Sequence, residues 1–260
     1  ISVQMMEVEV PEMEPESLDL AVDIGNSSVK AGIFRQDQLL KTFRMEYFDG
    51  RQASRLVEEY PIKNAILCSV KNPDRLQGES LANYFEHILE LTASTPLPIY
   101  NEYQTPETLG SDRIAAVTGA YALFPNQNVL VIDAGTAITY DLLEASGHYM
   151  GGNISPGLTL RFRGLHEATG LLPLVSPQKS APWLGKNTHQ AIVAGVQNGL
   201  IFEVNQYIHH FTNQYGNLTT ILTGGDSNFF DNKLKYTIFV ESNLVLIGLN
   251  KILKHNLYAK

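Results

Sequence analysis

One cysteine, Cys68, occurs among the 260 residues. An intrachain disulfide is therefore excluded, and such sparing use suits a reducing cytoplasm. Positive charge is also scarce: 19 Lys and Arg against 27 Asp and Glu leave a formal net charge of −8. That argues against a nucleic-acid partner, which calls for a basic face. It leaves room for a nucleotide site, where a few local cations and backbone N–H groups suffice. No apolar run reaches the ~18 residues that suggest a membrane span, so no membrane partner is expected. The first 17 residues, ISVQMMEVEVPEMEPES, hold no Lys or Arg. A secretory signal needs a basic start and an apolar core, so this stretch reads as an acidic tail, an added strand at most, with Met5 or Met6 nearer the natural start. Zinc-type spacings and a Ser–His–Asp pattern are missing too. His209-His210 has no third ligand in view, and the single tryptophan, Trp183 after Pro182, reads as a packing anchor.

What the chain does have is one pattern written twice. VLVIDAGTAITYD (129–141) opens with an unbroken apolar run, Val129 to Ile132, closed by Asp133, turned at Gly135-Thr136 and continued as a second strand. A short β-rich run of this kind suits a central strand covered on both faces. The acid at its mouth can hold a metal or a water, the glycine lets backbone N–H groups approach an anion, and the threonine adds a donor. LDLAVDIGNSSVKAGIF (18–34) repeats it: Asp23 matches Asp133, 110 positions later, Gly25 matches Gly135, and Asn26 matches Thr136. The first copy adds Ser27, Ser28 and Lys30, all suited to phosphate. Two copies one small domain apart point to a duplicated fold with two phosphate-facing hairpins across a cleft.

Around each copy the element order is similar. After the first hairpin, 38–47 reads as a polar edge strand, 51–59 as a helix ended by Pro61, 64–70 as a buried strand, 77–91 as a second helix and 98–100 as a short strand. The apolar spacing of Leu81, Tyr84, Phe85, Ile88 and Leu89 carries the second helix. A polar loop, 101–113, leads into a helix over 114–124, for which Ser111 or Asp112 is a candidate N-cap. In the second half, 149–155 is a strand, 158–168 a helix with LLPLV (171–175) after it, and 188–211 a long helix capped by Asn187 or Thr188. Strands follow at 218–223 and 237–239, and a last helix at 243–257 packs back on the first unit. The reading is an α/β chain of two ribonuclease-H-like domains, duplicated βββαβαβ units with mixed sheets flanked by helices. They span 18–113 and 114–260 behind the acidic tail 1–17.

This arrangement resembles the superfamily of acetate and sugar kinases, Hsp70 and actin, and within it the type III pantothenate kinases. DIGNSSVK (23–30) resembles that family's first phosphate motif, GSDR (110–113) its G-x-D-R substrate motif, and DAGTA (133–137) its second phosphate motif. GGNISPG (151–157) and GKNT (185–188) are similar to its later signatures, and TGGD (223–226) resembles its adenosine-side turn. The family usually carries Thr where this chain has Ser27; a hydroxyl survives, so phosphate contact is retained.

The resemblance implies an ATP-dependent kinase that phosphorylates pantothenate at the entry to coenzyme A synthesis. Asp23, at a strand end, suits hydrated Mg²⁺. Ile24, Gly25, Asn26, Ser27, Ser28, Val29 and Lys30 form the first nucleotide-binding turn, with Thr136, Gly224 and Gly225 completing it. The Asp133 counterpart helps hold a monovalent cation, K⁺ or NH₄⁺. Asp112 becomes the general base for pantothenate's primary hydroxyl, and Arg113 offers a fork of donors to its carboxylate or hydroxyls. Gly110 and Ser111 shape that loop, and Tyr103 matches a substrate-contacting tyrosine. Thr188 resembles a residue donated by the partner subunit, which implies a homodimer. Blander roles compete: helix cap for Asp112, salt bridge for Arg113, buried anchor for Tyr103, core for Cys68. Two other functions also compete, a nucleotide-binding regulator of the same fold without catalysis and a kinase for another small hydroxylated substrate.

Overall fold

A computed structural model describes residues 17–25, 28–69 and 81–258. Residues 1–16 of the expected tail (1–17) and the turn residues Asn26 and Ser27 lie outside the described residues. So do positions 77–80 of the second predicted helix.

The first sheet is built on β1 (Leu18–Ile24), whose side chains alternate between two buried faces. Leu20 and Val22 pack with the elements on one side, and Ala21 packs on the other. β1 pairs antiparallel with β2 (Val29–Arg35), setting Asp23 opposite Lys30. β3 (Gln38–Met45) lies at the edge, and its largely exposed, polar side chains explain why it can. On the other side β1 runs parallel to β4 (Ile62–Ser69), which is parallel to β5 (His87–Glu90). Helix α1 (Gly50–Glu59) links β3 to β4. It starts where Asp49 accepts from the backbone N–H groups of Arg51 and Gln52.

The second sheet repeats the plan. β7 (Asn128–Ala134) pairs antiparallel with β8 (Ala137–Leu143), setting Asp133 opposite Thr139. β9 (His148–Pro156) follows β8, while β10 (Leu218–Thr223) and β11 (Phe239–Val240) run parallel on the far side of β7. The first sheet has the order β3-β2-β1-β4-β5; the second has β9-β8-β7-β10-β11, with β6 (Tyr100–Asn101) added beyond β9. The predicted duplication is thus present strand for strand.

Two sequence expectations fail in the first half. The span 77–91 is no continuous helix: residues 81–83 form one tight turn and His87–Glu90 form β5. The apolar spacing was real, because Leu81 and Phe85 are core residues, but β4 offers an open parallel edge that residues 87–90 fill. The short strand also falls at Tyr100–Asn101 rather than 98–100, and it joins the second sheet beside β9. LLPLV (171–175) is irregular, with Val175 buried and Leu171 and Leu174 exposed.

Helices α2 (Ser111–Leu123) and α5 (Leu244–Tyr258) pack against each other between the sheets. α5 covers β1, β2 and β4, as the sequence anticipated, and α2 covers β7 and β8. Their apolar residues join both sheets in one core with Ala21, Ile66, Val129 and Val131. The crossing is close because two glycines meet there. A Cβ on Gly248 would lie 1.7 Å from the Ala115 carbonyl oxygen, and one on Gly119 would lie 2.3 Å from that of Leu244. On the outer face of the second sheet run α3 (Leu158–Glu167) and α4 (Thr188–Tyr215), whose inward stripe includes Ile192, Val196, Leu200, Val204 and Ile208. Asn187 caps α4, accepting from the Gln190 N–H at 2.9 Å. Among the described residues no helix is long and apolar enough to cross a membrane.

Candidate active site

Both hairpin turns close in the same way. The Gly25 N–H donates to the Ser28 carbonyl at 3.2 Å, and the Gly135 N–H to the Ala137 carbonyl at 3.0 Å. These turns and the start of α2 border one cleft of roughly 730 Å³. Of the nucleotide-side residues predicted from the sequence, the cleft gathers Asp23, Gly25, Ser28, Lys30, Asp133, Thr136, Gly224 and Gly225. Ile24 ends β1, half-buried, and Val29 begins β2 in the core. Lys30 reaches across to donate to the Ser242 carbonyl at the entry to α5.

The second half of the cleft depends on glycines at close approaches. Gly224 has φ +91°, and a Cβ there would sit 2.3 Å from the Ala134 carbonyl oxygen and 2.5 Å from Asp133 Oδ1. Gly157 lies so close to the second turn that a Cβ would come within 2.0 Å of the Gly135 carbonyl oxygen. SPG and TGG in the sequence are therefore the places where β9 and β10 close on the second hairpin.

Helix α2 brings Asp112 and Arg113 into the same cleft. The predicted capping role for Ser111 or Asp112 is not what the helix uses. Gly110 occupies the N-cap position with no side-chain capping bond, and Ser111 donates to the Ser69 carbonyl at 3.2 Å. Asp112 stands in the first turn, its Oδ1 accepting from the Arg113 N–H at 2.8 Å. Gly110 has to be small, since a Cβ would come within 2.5 Å of that Oδ1.

Arg113 is buried and already engaged. Its Nε and Nη2 donate to Asp141 Oδ1 at 3.1 and 2.6 Å, and Tyr149 donates to the same carboxylate oxygen at 2.7 Å. Tyr103 stacks on Tyr149 and lies beneath the guanidinium, 5.5 Å from ring centre to Cζ. A Cβ on Gly152 would strike Asp141 and Arg113 together. Sequence reasoning overlooked Asp141. The signal for it is an acid inside the otherwise apolar second strand of the hairpin, a position that demands a partner. Thr139 was overlooked as well; it lines the cleft two residues earlier. Thr188 is placed elsewhere, exposed at the first turn of α4.

Electrostatically the cleft is crowded with acids. Burial raises the Asp23 carboxyl to about 6, with the nearby Asp112 charge adding to the rise while the Cys68 thiol, donating at 3.4 Å, opposes it. Burial, and then the charges of Asp112, Asp23 and Asp141, push Asp133 up to about 7 despite Lys30. Asp112 is raised too, chiefly by burial. Burial also lowers Lys30, and the cross-strand neighbour Arg44 adds to that. Burial works against the Arg113 charge, but the Asp141 hydrogen bonds and charge outweigh it and hold the guanidinium above its ordinary value. Such carboxyls ionise together readily only when cations sit among them. Among the described residues no three His, Cys, Asp or Glu side chains form a metal cage. Asp23 and Asp133, both raised by burial and neighbouring acids, are the kind of donor Mg²⁺ takes, one or two carboxylates beside waters and phosphate oxygens.

The comparisons with known proteins agree with one another. A family model described as type III pantothenate kinase matches residues 19–210. A type III pantothenate kinase of Phocaeicola vulgatus is 45% identical over 239 residues, covering 92% of this chain and 99% of that protein. One from Porphyromonas gingivalis W83 is 42% identical over 243 residues, covering 92% and 99%. Among solved structures, a Campylobacter jejuni protein assigned to the Baf family superposes with a TM-score of 0.58 at 23% identity, covering 91% of this chain and 98% of that one. The activator of 2-hydroxyisocaproyl-CoA dehydratase from Clostridium difficile, with bound ADPNP, gives 0.53 at 12%, covering 92% and 95%. At these identities the structural likeness speaks to the fold alone. The model match and the curated relatives, each spanning most of the sequence, decide the family: this chain belongs to the type III pantothenate kinases.

Proposed function

We propose that this chain transfers the γ-phosphoryl group of ATP to the primary hydroxyl of pantothenate, giving 4′-phosphopantothenate and ADP, the first step towards coenzyme A. The observation that carries this reading is that Asp112 shares one cleft with both glycine-turn hairpins in a chain of this family. Phosphoryl transfer depends on positioning and charge neutralisation more than on covalent help. The turns at Gly25–Ser28 and Gly135–Thr136, with Gly224 and Gly225, take the nucleotide; Asn26 and Ser27 are assigned to the first turn on sequence alone. Lys30 supplies positive charge. Asp23 and Asp133 are the carboxylates that hold Mg²⁺ and a monovalent cation, K⁺ or NH₄⁺. Mg²⁺, when bound, neutralises the phosphate charge.

Asp112 accepts the proton of the acceptor hydroxyl as the new O–P bond forms and the bond to the ADP oxygen breaks. Arg113, held by Asp141 above Tyr103, and the loop at Gly110 and Ser111 orient pantothenate. We place the reaction in the cytoplasm, where a free buried thiol at Cys68 is at home, in two units near 18–113 and 114–260, with β6 of the first stretch crossing to the second sheet and α2 and α5 packed between the sheets. A panel of pantothenate and small sugars, assayed by ADP release in K⁺ and in Na⁺ at constant ionic strength, tests the reading. Turnover with pantothenate alone, strongly reduced in Na⁺, is the expected result. Equal rates in the two salts would remove Asp133 from the cation site, and ADP release without preference for pantothenate would remove the substrate.

We also propose a homodimer in which Thr188 closes the partner's acceptor site. Its exposed place at the start of α4, beside the 82% exposed Trp183 and 78% exposed Leu184, supports the pairing. Light scattering at micromolar concentration should give twice the mass of the chain, and a fully active monomer would end the idea.

A further inference from the structure

Thr139 has no assigned work in the reaction as described. Its Oγ1 is buried and has no hydrogen-bond partner among the described residues. Three such atoms occur among the described residues, on Gln52, Thr139 and Asn250, and of the three Thr139 is the one whose residue lines the cleft. A buried hydroxyl without a partner weakens a fold, whereas valine has the same shape and no such cost.

The duplicated hairpin gives Thr139 a counterpart. In the first copy the residue opposite Asp23 is Lys30, whose amine is held by the Ser242 carbonyl. In the second copy the residue opposite Asp133 is Thr139. Side chains two apart on a strand share a face, so Thr139 and Asp141 form one row along β8. Asp141 fixes Arg113, the neighbour of Asp112. By register, Thr139 therefore sits on β8 opposite the carboxylate assigned to the cation and two residues before the one that holds the guanidinium assigned to the acceptor.

We propose that Thr139 binds the phosphoryl acceptor, its hydroxyl hydrogen-bonding an oxygen of that small polyhydroxylated or amide-bearing molecule close to the reacting group. The inference rests on the kinase reading above. Steady-state kinetics and thermal melting of Thr139→Val and Thr139→Ser test it, with the parent as control. One lost neutral hydrogen bond corresponds to a rise of roughly three- to tenfold in acceptor KM for the valine variant. Nucleotide KM stays at the parent value, the melting temperature is unchanged or higher, and serine restores acceptor KM. An unchanged acceptor KM, a shift in nucleotide KM instead, or a valine variant that melts lower or fails to fold would each overturn the assignment. The parent's own turnover of pantothenate tests the kinase reading separately. Should the parent prefer another hydroxylated acceptor, the same comparison with that acceptor decides Thr139.

Discussion

Asp112→Asn is expected to lower kcat by about 10²- to 10⁴-fold, the usual contribution of a positioned base, while ATP affinity stays near the parent value. Asparagine keeps the side-chain size but cannot take the proton of the acceptor hydroxyl. The structural cost is small, because Asp112 does not cap α2. It accepts a hydrogen bond from the Arg113 N–H, and the asparagine oxygen accepts the same bond. Losing the negative charge in the first turn of the helix gives up about 0.3–1 kcal/mol of helix-dipole stabilisation, and it relieves the burial and like-charge cost that raises this carboxyl, so the two offset. Nucleotide binding is spared because the hairpin turns, not α2, carry the phosphates in the proposed mechanism. Burial already holds the Asp112 carboxyl above its ordinary range, which makes its ionised form a stronger base. Measuring kcat, ATP binding and melting temperature for Asp112→Asn and Asp112→Ala separates chemistry from scaffolding. A near-parent kcat for the asparagine variant, with a large drop in melting temperature for alanine, would make Asp112 a structural residue.

The hairpins were legible because their signal is local. An apolar run, an acid and a glycine turn specify a central strand and its reversal within about ten residues, and the repeat at Asp133 confirms the first copy at Asp23. The structure adds what no local pattern contains, the register that sets Lys30 and Thr139 at equivalent places opposite those acids. The failure over 77–91 is of the opposite kind. Leu81 and Phe85 face the core whether the segment is helical or a turn followed by a strand, so spacing alone could not decide between them. The open edge of β4, set by residues 62–69, decided it. Tyr100–Asn101 likewise joins β9, a strand that begins at His148, and no window around residue 100 contains that information. Within the site, Asp112 and Arg113 stand out through their motif, whereas Asp141 and Gly152 gain their meaning from a contact with Arg113 that forms only in the folded chain.

That contact supports the second large effect. Arg113→Met should cost about 3–5 kcal/mol of stability, because it leaves the Asp141 carboxylate buried without its cation. Asp141 is fully buried and the Arg113 side chain is 6% exposed, so solvent cannot make up the loss. Only the Tyr149 hydroxyl would remain as its donor among the partners seen here. For a chain of this size the cost corresponds to a fall of roughly 6–20 °C in melting temperature. Adding Asp141→Asn to Arg113→Met replaces the stranded charge by a neutral amide, which still accepts from Tyr149. The double variant should therefore regain part of the lost stability, as coupled partners do in a mutant cycle. Turnover should not return with it, because in the proposed mechanism the acceptor still lacks the guanidinium that orients it. Stability and activity thus part company if Arg113 serves the substrate. If both recover together in the double variant, Arg113 is a brace between α2 and β8 and the acceptor must be oriented by other groups.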